Sequence, residues 1–373
     1  MKPYFPILLC LIGFFSLCLS DDSPILTTEN ALRQCDCYLV SGIDPGYFQH
    51  YQFWDFRNAP VPREFRPFDA SDDNDEDDLE DMYSNMFNEH NILPLSRSIF
   101  ANDWKVQSWN RLSVANKPMP VVNSADNVFL ARDHPSVATG TNSTYLVLRT
   151  TQLQDHNSAA ELESRLTNIY RCSLRIRFRI LPHGGFVNNP NPNPNPEPRP
   201  AADTAKPRSS PSPTGTCAGI FTYDPTSGSE SDIEILTRDP ETIIHYANQP
   251  DYDPVTDTAI PGASIIAALP KPWTQWVTHR LDWFRNLSVW SLDGQVQTSN
   301  TYRVPRVPST VVLNLWSDGG EWTGKMGVGE SVYLGVEWIQ LVYNISDTGA
   351  SGRENRNKME CRRPCWVDDP VRV

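Results

Sequence analysis

Along residues 173–180 the chain reads SLRIRFRI, with Leu174, Ile176, Phe178 and Ile180 at one parity and Arg175, Arg177 and Arg179 at the other. Successive side chains of a strand point to opposite faces, so this period of two predicts a β-strand with one apolar and one basic face. Comparable short runs are TYLVLRT (144–150), AGIFTYD (218–224), TIIHYAN (242–248), WVTHRLDWF (276–284), LSVWSL (287–292), VVLNLW (311–316) and VYLGVEWIQLVYN (332–344). Asp293-Gly294 closes the run at 287–292 with a pair suited to a tight hairpin turn. A helical period is hinted at only in AAELESRLTNIY (159–170) and beside an acidic run. Many short strands with turn signals predict an all-β fold of two stacked antiparallel sheets, a β-sandwich or jelly roll.

Two segments break this pattern. Residues 187–216 are dense in proline and almost free of apolar side chains, which predicts an extended loop. With strands on both sides, the loop reads as interrupting a hairpin inside one domain. Residues 69–81 hold nine acids and no base, out of a formal net charge of −13 for 373 residues. The remainder is nearly balanced, so the charge implies no cationic partner and no nucleic acid. An EF-hand reading of the run fails, because Asp78 stands where a glycine is needed and Ser84 where a glutamate is needed. A solvated insert is the simpler reading, since like charges repel. No run specifies calcium or another metal, and no cofactor is expected.

The start, MKPYFPILLCLIGFFSLCLSDD, has a basic residue, a short apolar core and small residues before Asp21. It reads as a secretory signal peptide over residues 1–20, too short for a membrane anchor. The expectation is a secreted chain, extracellular or in a cell wall, free of membrane after signal removal and monomeric. Six cysteines then remain: Cys35, Cys37, Cys172, Cys217, Cys361 and Cys365. Disulfides suit that compartment better than zinc, whose usual spacings are missing. Cys172 and Cys217 flank the proline-rich loop and would close it; the outer pairs would tie the two ends together. Asn142, Asn286 and Asn344 begin glycosylation sequons. The chain thus divides into an N-terminal Cys-containing segment (21–44), a main domain (45–346) and a polar tail (347–373) carrying Cys361 and Cys365.

In GSESDIEILT (228–237), Glu230, Asp232 and Glu234 occupy alternate positions of a strand-like run, with Ile233 and Ile235 on the opposite parity. One face of a sheet therefore gathers three acids. On a flat strand the two glutamates are separated by about 13 Å along the backbone, too far for carboxyls that must flank one glycosidic bond at about 5 to 5.5 Å. A concave sheet would converge them over the central aspartate. Crowding would raise one glutamate's proton affinity while a neighbour stays charged, giving one acid and one nucleophile.

Glu230-Ser231-Asp232-Ile233-Glu234 resembles the E-x-D-x-E signature of glycoside hydrolase family 16, the laminarinase and lichenase group. WVTHRLDWFRNLSVWSLDGQ, LNLWSDGGEWTG and FWDFRN resemble further segments of that family in the same order, over about residues 45–346, and the likeness is nearest to secreted fungal members. The resemblance implies a concanavalin A-like jelly-roll sandwich with a concave substrate cleft. It implies Glu230 as nucleophile, Glu234 as general acid/base and Asp232 as their assistant. Asn314 and Trp316 match the family's sugar-contacting N-x-W, the indole stacking on a pyranose ring, although a core tryptophan is the competing reading. Trp322, Tyr246 and His279 are further candidates for the cleft, each with core packing as its alternative. Ser231, where the family usually has an apolar residue, is expected to loosen the packing behind the nucleophile.

The favoured function is a retaining endo-acting hydrolase of β-1,3 or mixed β-1,3/1,4-glucan, with the polysaccharide as its partner. A transglycosylase of the same mechanism and a non-catalytic, lectin-like glucan-binding protein are the alternatives.

Overall fold

The computed structural model describes residues 32, 34–42, 47–61, 92–132, 143–181, 214–253, 255–256, 258–346 and 361–368. The signal-like start, the acidic run and most of the proline-rich loop lie outside the described residues. One sheet, the cleft sheet, runs in the order Asn157–Ser164, Thr310–Trp316, Cys217–Asp224, Ser229–Leu236, Ile243–Asn248 and Ser264–Ala268, every neighbour antiparallel. In the opposing sheet the long strand Ser331–Ile345 pairs with Ile169–Ile180 on one side and with His50–Asp55 and Thr144–Gln152 on the other. Ile169–Ile180 continues through Val277–Trp283, Ser288–Leu292 and Gln295–Asn300. The two sheets join through Asn157–Ser164, whose start pairs with Thr144–Gln152 before its end enters the cleft sheet. The result is a jelly-roll sandwich, curved and nearly closed on itself.

Alternation explains the layers. Leu174, Ile176, Phe178 and Ile180 are fully buried against Ile220, Ile233, Ile235, Leu313 and Leu315 of the cleft sheet. Each such side chain contributes about 1.5–3 kcal/mol on leaving water, so the register of every strand is strongly fixed. The predicted turn is present: Asp293 and Gly294 both have positive φ, 45° and 80°, and lead into Gln295–Asn300.

Three expectations change. AAELESRLTNIY is not helical; Asn157–Ser164 is a strand with Ala160 and Leu162 inward, because pairing on both sides outweighs the helix propensity of alanine, leucine and glutamate. The strands flanking the proline-rich loop form no hairpin: Ile169–Ile180 and Cys217–Asp224 lie in opposite sheets around one core. Cys172 and Cys217 are both free and buried, Cys172 among core side chains and Cys217 on the other face of the cleft sheet, so they do not bridge.

The outer cysteines do tie the ends. Cys35 bonds Cys365 and Cys37 bonds Cys361, and Cys37–Leu39 runs parallel to Pro364–Trp366. This small sheet covers the outer face of the opposing sheet, where Arg175 donates to Val367 O and pairs with Asp368, and Arg280 pairs with Asp282 and Asp368. Leu32, Tyr38, Val40, Phe48 and Val367 pack there against Phe284, Val289 and Val342.

Candidate active site

Strand pairing decides which side chains share the cleft. Glu161, Asn314, Gly219, Glu234, His245 and Ile266 form one line across six strands. The next line carries Glu163, Val312, Phe221, Asp232, Ala247 and Ser264, and beyond it Thr310, Tyr223 and Glu230 stand in register. The three acids of the Ser229–Leu236 strand therefore stand on one face, as the alternation predicts, with Ile233 and Ile235 in the core beneath. Gly219 lies between Asn314 and Glu234, and a Cβ there would meet Asn314 Oδ1 at 2.7 Å. Any larger residue would displace the amide from the cleft floor.

Asp232 is 1% exposed, while Glu230 and Glu234 are half-buried and open to the cleft. Burial raises all three carboxyls, the charge of Glu230 adding to the rise of Asp232. The contact between Asp232 and Glu230 raises the proton affinity of Asp232 and lowers that of Glu230, and Asp232 Oδ2 accepts from Gln249 Nε2 at 2.9 Å. Gln249 is held in turn by Asp251, whose backbone N–H donates to its Oε1 at 2.9 Å. Glu230 is pushed up to about 7 by burial, with the Asp232 bond pulling the other way. Glu234 is pushed up to about 8 by burial and then by the charge of Asp232, against hydrogen bonds from Cys217 and Trp322. Near neutrality the arrangement holds a protonated Glu234 beside a Glu230 whose ionised form is stabilised by a donor, which are the two states that acid-assisted displacement requires.

Around these acids, Trp322 meets His245 edge-on at 5.2 Å, and His245 Nε2 is 2.7 Å from Asp239 Oδ2. Trp316 is half-buried, with the Arg111 guanidinium 4.6 Å from its ring centroid and held by Asp318 at 3.3 Å. Glu161 accepts from Trp109 Nε1 at 2.6 Å and from the Asn314 side chain; burial raises its carboxyl. Among the described residues no group of three or more His, Cys, Asp or Glu is placed to hold a metal ion.

Glu230, Asp232, Glu234, Asn314, Trp316 and Trp322 are thus brought together; Tyr246 and His279 are not. Tyr246 pairs with Ile233, so its parity turns it into the core, where it stacks on Trp290 at 5.4 Å. His279 is fully buried between the sheets, stacked on Phe178 at 4.3 Å, and burial pushes its imidazole down to about 3. It is a neutral core residue. Ser231 does not loosen the core either: it donates to Asn248 Oδ1 at 2.7 Å, which also accepts from Ser288 at 3.1 Å. Of the sequons, Asn286 is exposed in a turn, and Asn142 lies outside the described residues. Asn344 is buried, accepting from Gln49 N and donating to Tyr47 O, so a glycan there would displace both bonds.

Sequence reasoning missed Glu161, Trp109, Arg111, Cys217 and Gln249. The signal for Glu161 was present in the alternation of Glu161 and Glu163 about Leu162, inside the run read as helical. Gln249 sits just past its strand, and only register brings it to Asp232.

No family model matches the chain. The β-glucanase of Bacillus subtilis is 28% identical over 136 residues, which is 34% of this chain and 52% of that protein. The β-glucanase of Paenibacillus polymyxa is 26% identical over 137 residues, 35% of this chain and 55% of that protein. The chain is similar to bacterial β-glucanases. It spans about half the length of the curated relatives it matches. Among solved structures, Bacillus licheniformis β-glucanase superposes with a TM-score of 0.45 at 18% identity, covering 67% of this chain and 96% of that one.

Proposed function

We propose that this chain is a secreted, retaining endo-β-glucanase acting on β-1,3 or mixed β-1,3/1,4-glucan. The observation that carries the reading is the trio on the cleft sheet: two half-open glutamates on one face of a strand, on either side of a buried aspartate. Similarity to named β-glucanases supports the substrate class.

In the first step Glu230 attacks the anomeric carbon as Glu234 protonates the departing sugar oxygen, leaving a glycosyl ester on Glu230. In the second, Glu234, now ionised, takes a proton from water, and the water oxygen displaces Glu230 with overall retention. Asp232 is the wedge. By hydrogen-bonding to Glu230 it favours the charged nucleophile. Trp316 and Asn314 hold the sugar, by stacking and by a hydroxyl contact, one strand beyond Gly219.

The test is incubation with laminarin and lichenan, read by product size and by NMR of the anomeric configuration. Oligosaccharides released first in the β form are expected. No release from any of a broad polysaccharide panel would overturn the proposal.

A further inference from the structure

One chemically competent group on the cleft floor has no part in the scheme above. Cys217 is fully buried and in no disulfide, and its Sγ lies 3.4 Å from Glu234 Oε1 with the S–H directed at it. Cross-strand pairing explains the contact. Gly219 stands directly opposite Glu234 and offers no side chain, so the carboxyl rests against the diagonal neighbour two residues away. The Trp322 indole, edge-on to His245 at 5.2 Å, lowers the proton affinity of both the carboxyl and the thiol.

We propose that the Cys217 thiol is a positioning residue for Glu234, donating its S–H to Oε1 and so favouring the carboxylate that must take a proton from the incoming water. The inference rests on the reading of Glu234 as acid/base. No bond to sulfur forms or breaks: the thiol keeps its proton throughout and only the carboxyl gains and loses one. Burial, and next the charge of Glu234, hold the thiol's own ionisation far up, so it remains a donor.

Other charged groups reach the same carboxyl. On its own strand these are Asp232 and Glu230; from the Ile243–Asn248 strand, His245 with its partner Asp239; from the loop beyond it, Asp251; and from across Asn314, Glu161. Burial, then the charges of Asp232 and Asp251, raise the proton affinity of Glu234, and Cys217 and Trp322 are the neighbours that lower it.

The test compares Cys217→Ala, Cys217→Val and Cys217→Ser in the full chain. Valine keeps bulk on a strand without a donor, and serine keeps a donor. The basic limb of the kcat/KM profile on lichenan is expected to move up by about half to one pH unit in the alanine and valine variants, since a lost hydrogen bond of this kind is worth about 1 kcal/mol. In the serine variant it should stay at the wild-type position or below. A packing role would instead lower rates at every pH without moving the limb. A second readout does not need turnover: carbon NMR titration of carboxyl-labelled glutamate, with the Glu234 signal assigned by its loss in Glu234→Gln. Midpoints that move in Ala and Val but not in Ser support the proposal even if no glucan is cleaved, in which case the glucanase reading alone falls. Glucan cleavage with an unmoved limb and midpoint in both non-donor variants would overturn the proposal and leave that reading intact.

Discussion

Charge is buried on both outer faces of the sandwich. On the cleft face Glu230, Asp232 and Glu234 crowd together, and among the described residues none of the three makes an ion pair. On the opposite face Arg175 and Arg280 meet Asp282 and Asp368 under the strap formed by the two chain ends. The strands beneath are alike: each puts alternate residues into one core. What differs is compensation. Paired charges satisfy one another and hold the strap in place, whereas like charges left together raise each other's proton affinity and become chemically poised. The pH consequences have opposite signs. Asp368 is held low by Arg175 and Arg280 despite its burial, so its stabilisation is present above the usual carboxylate range and lost as pH falls. Glu230 and Glu234 are held high; the fold carries no penalty from them below about pH 4.5, where both states are protonated, and loses stability from there as pH rises through about 7 and 8, beyond which the loss levels off.

The sharpest way to separate the faces is to remove one charge from each. Glu230→Gln should lower glucan turnover by about a thousandfold or more without lowering the melting temperature, since it relieves crowding. Turnover within tenfold of wild type would break the assignment of the cleft face to chemistry. Asp368→Ala should do the reverse, costing about 2–3 kcal/mol in urea unfolding by leaving Arg175 and Arg280 short of a partner, with kcat/KM unchanged. A variant of wild-type stability would show that the strap charges are not compensating one another. Glu234→Gln should be more stable than wild type by about 1–3 kcal/mol above pH 8, and the gain should vanish below about pH 4.5, where the wild-type carboxyl is protonated in both folded and unfolded states. A gain independent of pH would mean that ionisation is not its source. The smallest effect is expected from Trp316→Ala, which should weaken glucan-oligosaccharide affinity by about 1–2 kcal/mol in calorimetry while leaving both pH signatures in place.

Much of this was legible in the alternation alone. The strand carrying Leu174, Ile176, Phe178 and Ile180, the acidic strand and the Asp293-Gly294 turn all follow from local period and turn chemistry. What local reading could not supply is register. Tyr246 is a plausible cleft aromatic until it is paired with Ile233, which sends it inward. His279 matches a family segment, yet strand parity carries it between the sheets with Phe178. Glu161 lay hidden in a stretch whose composition favours a helix, because flanking strands rather than propensity choose its conformation. Cys172 and Cys217 sit at the edges of one loop in sequence but belong to opposite layers, so nearness along the chain said nothing about nearness in space.

The two bridges at the chain ends span 330 and 324 residues, so nearly the whole polypeptide is closed into a covalent ring. A single cut between Cys37 and Cys361, at any position, leaves both pieces attached. Such a nicked molecule would keep its mass and migrate as one particle until a reductant opens it. The segments that carry these four cysteines are thereby kept from separating first as the fold unravels.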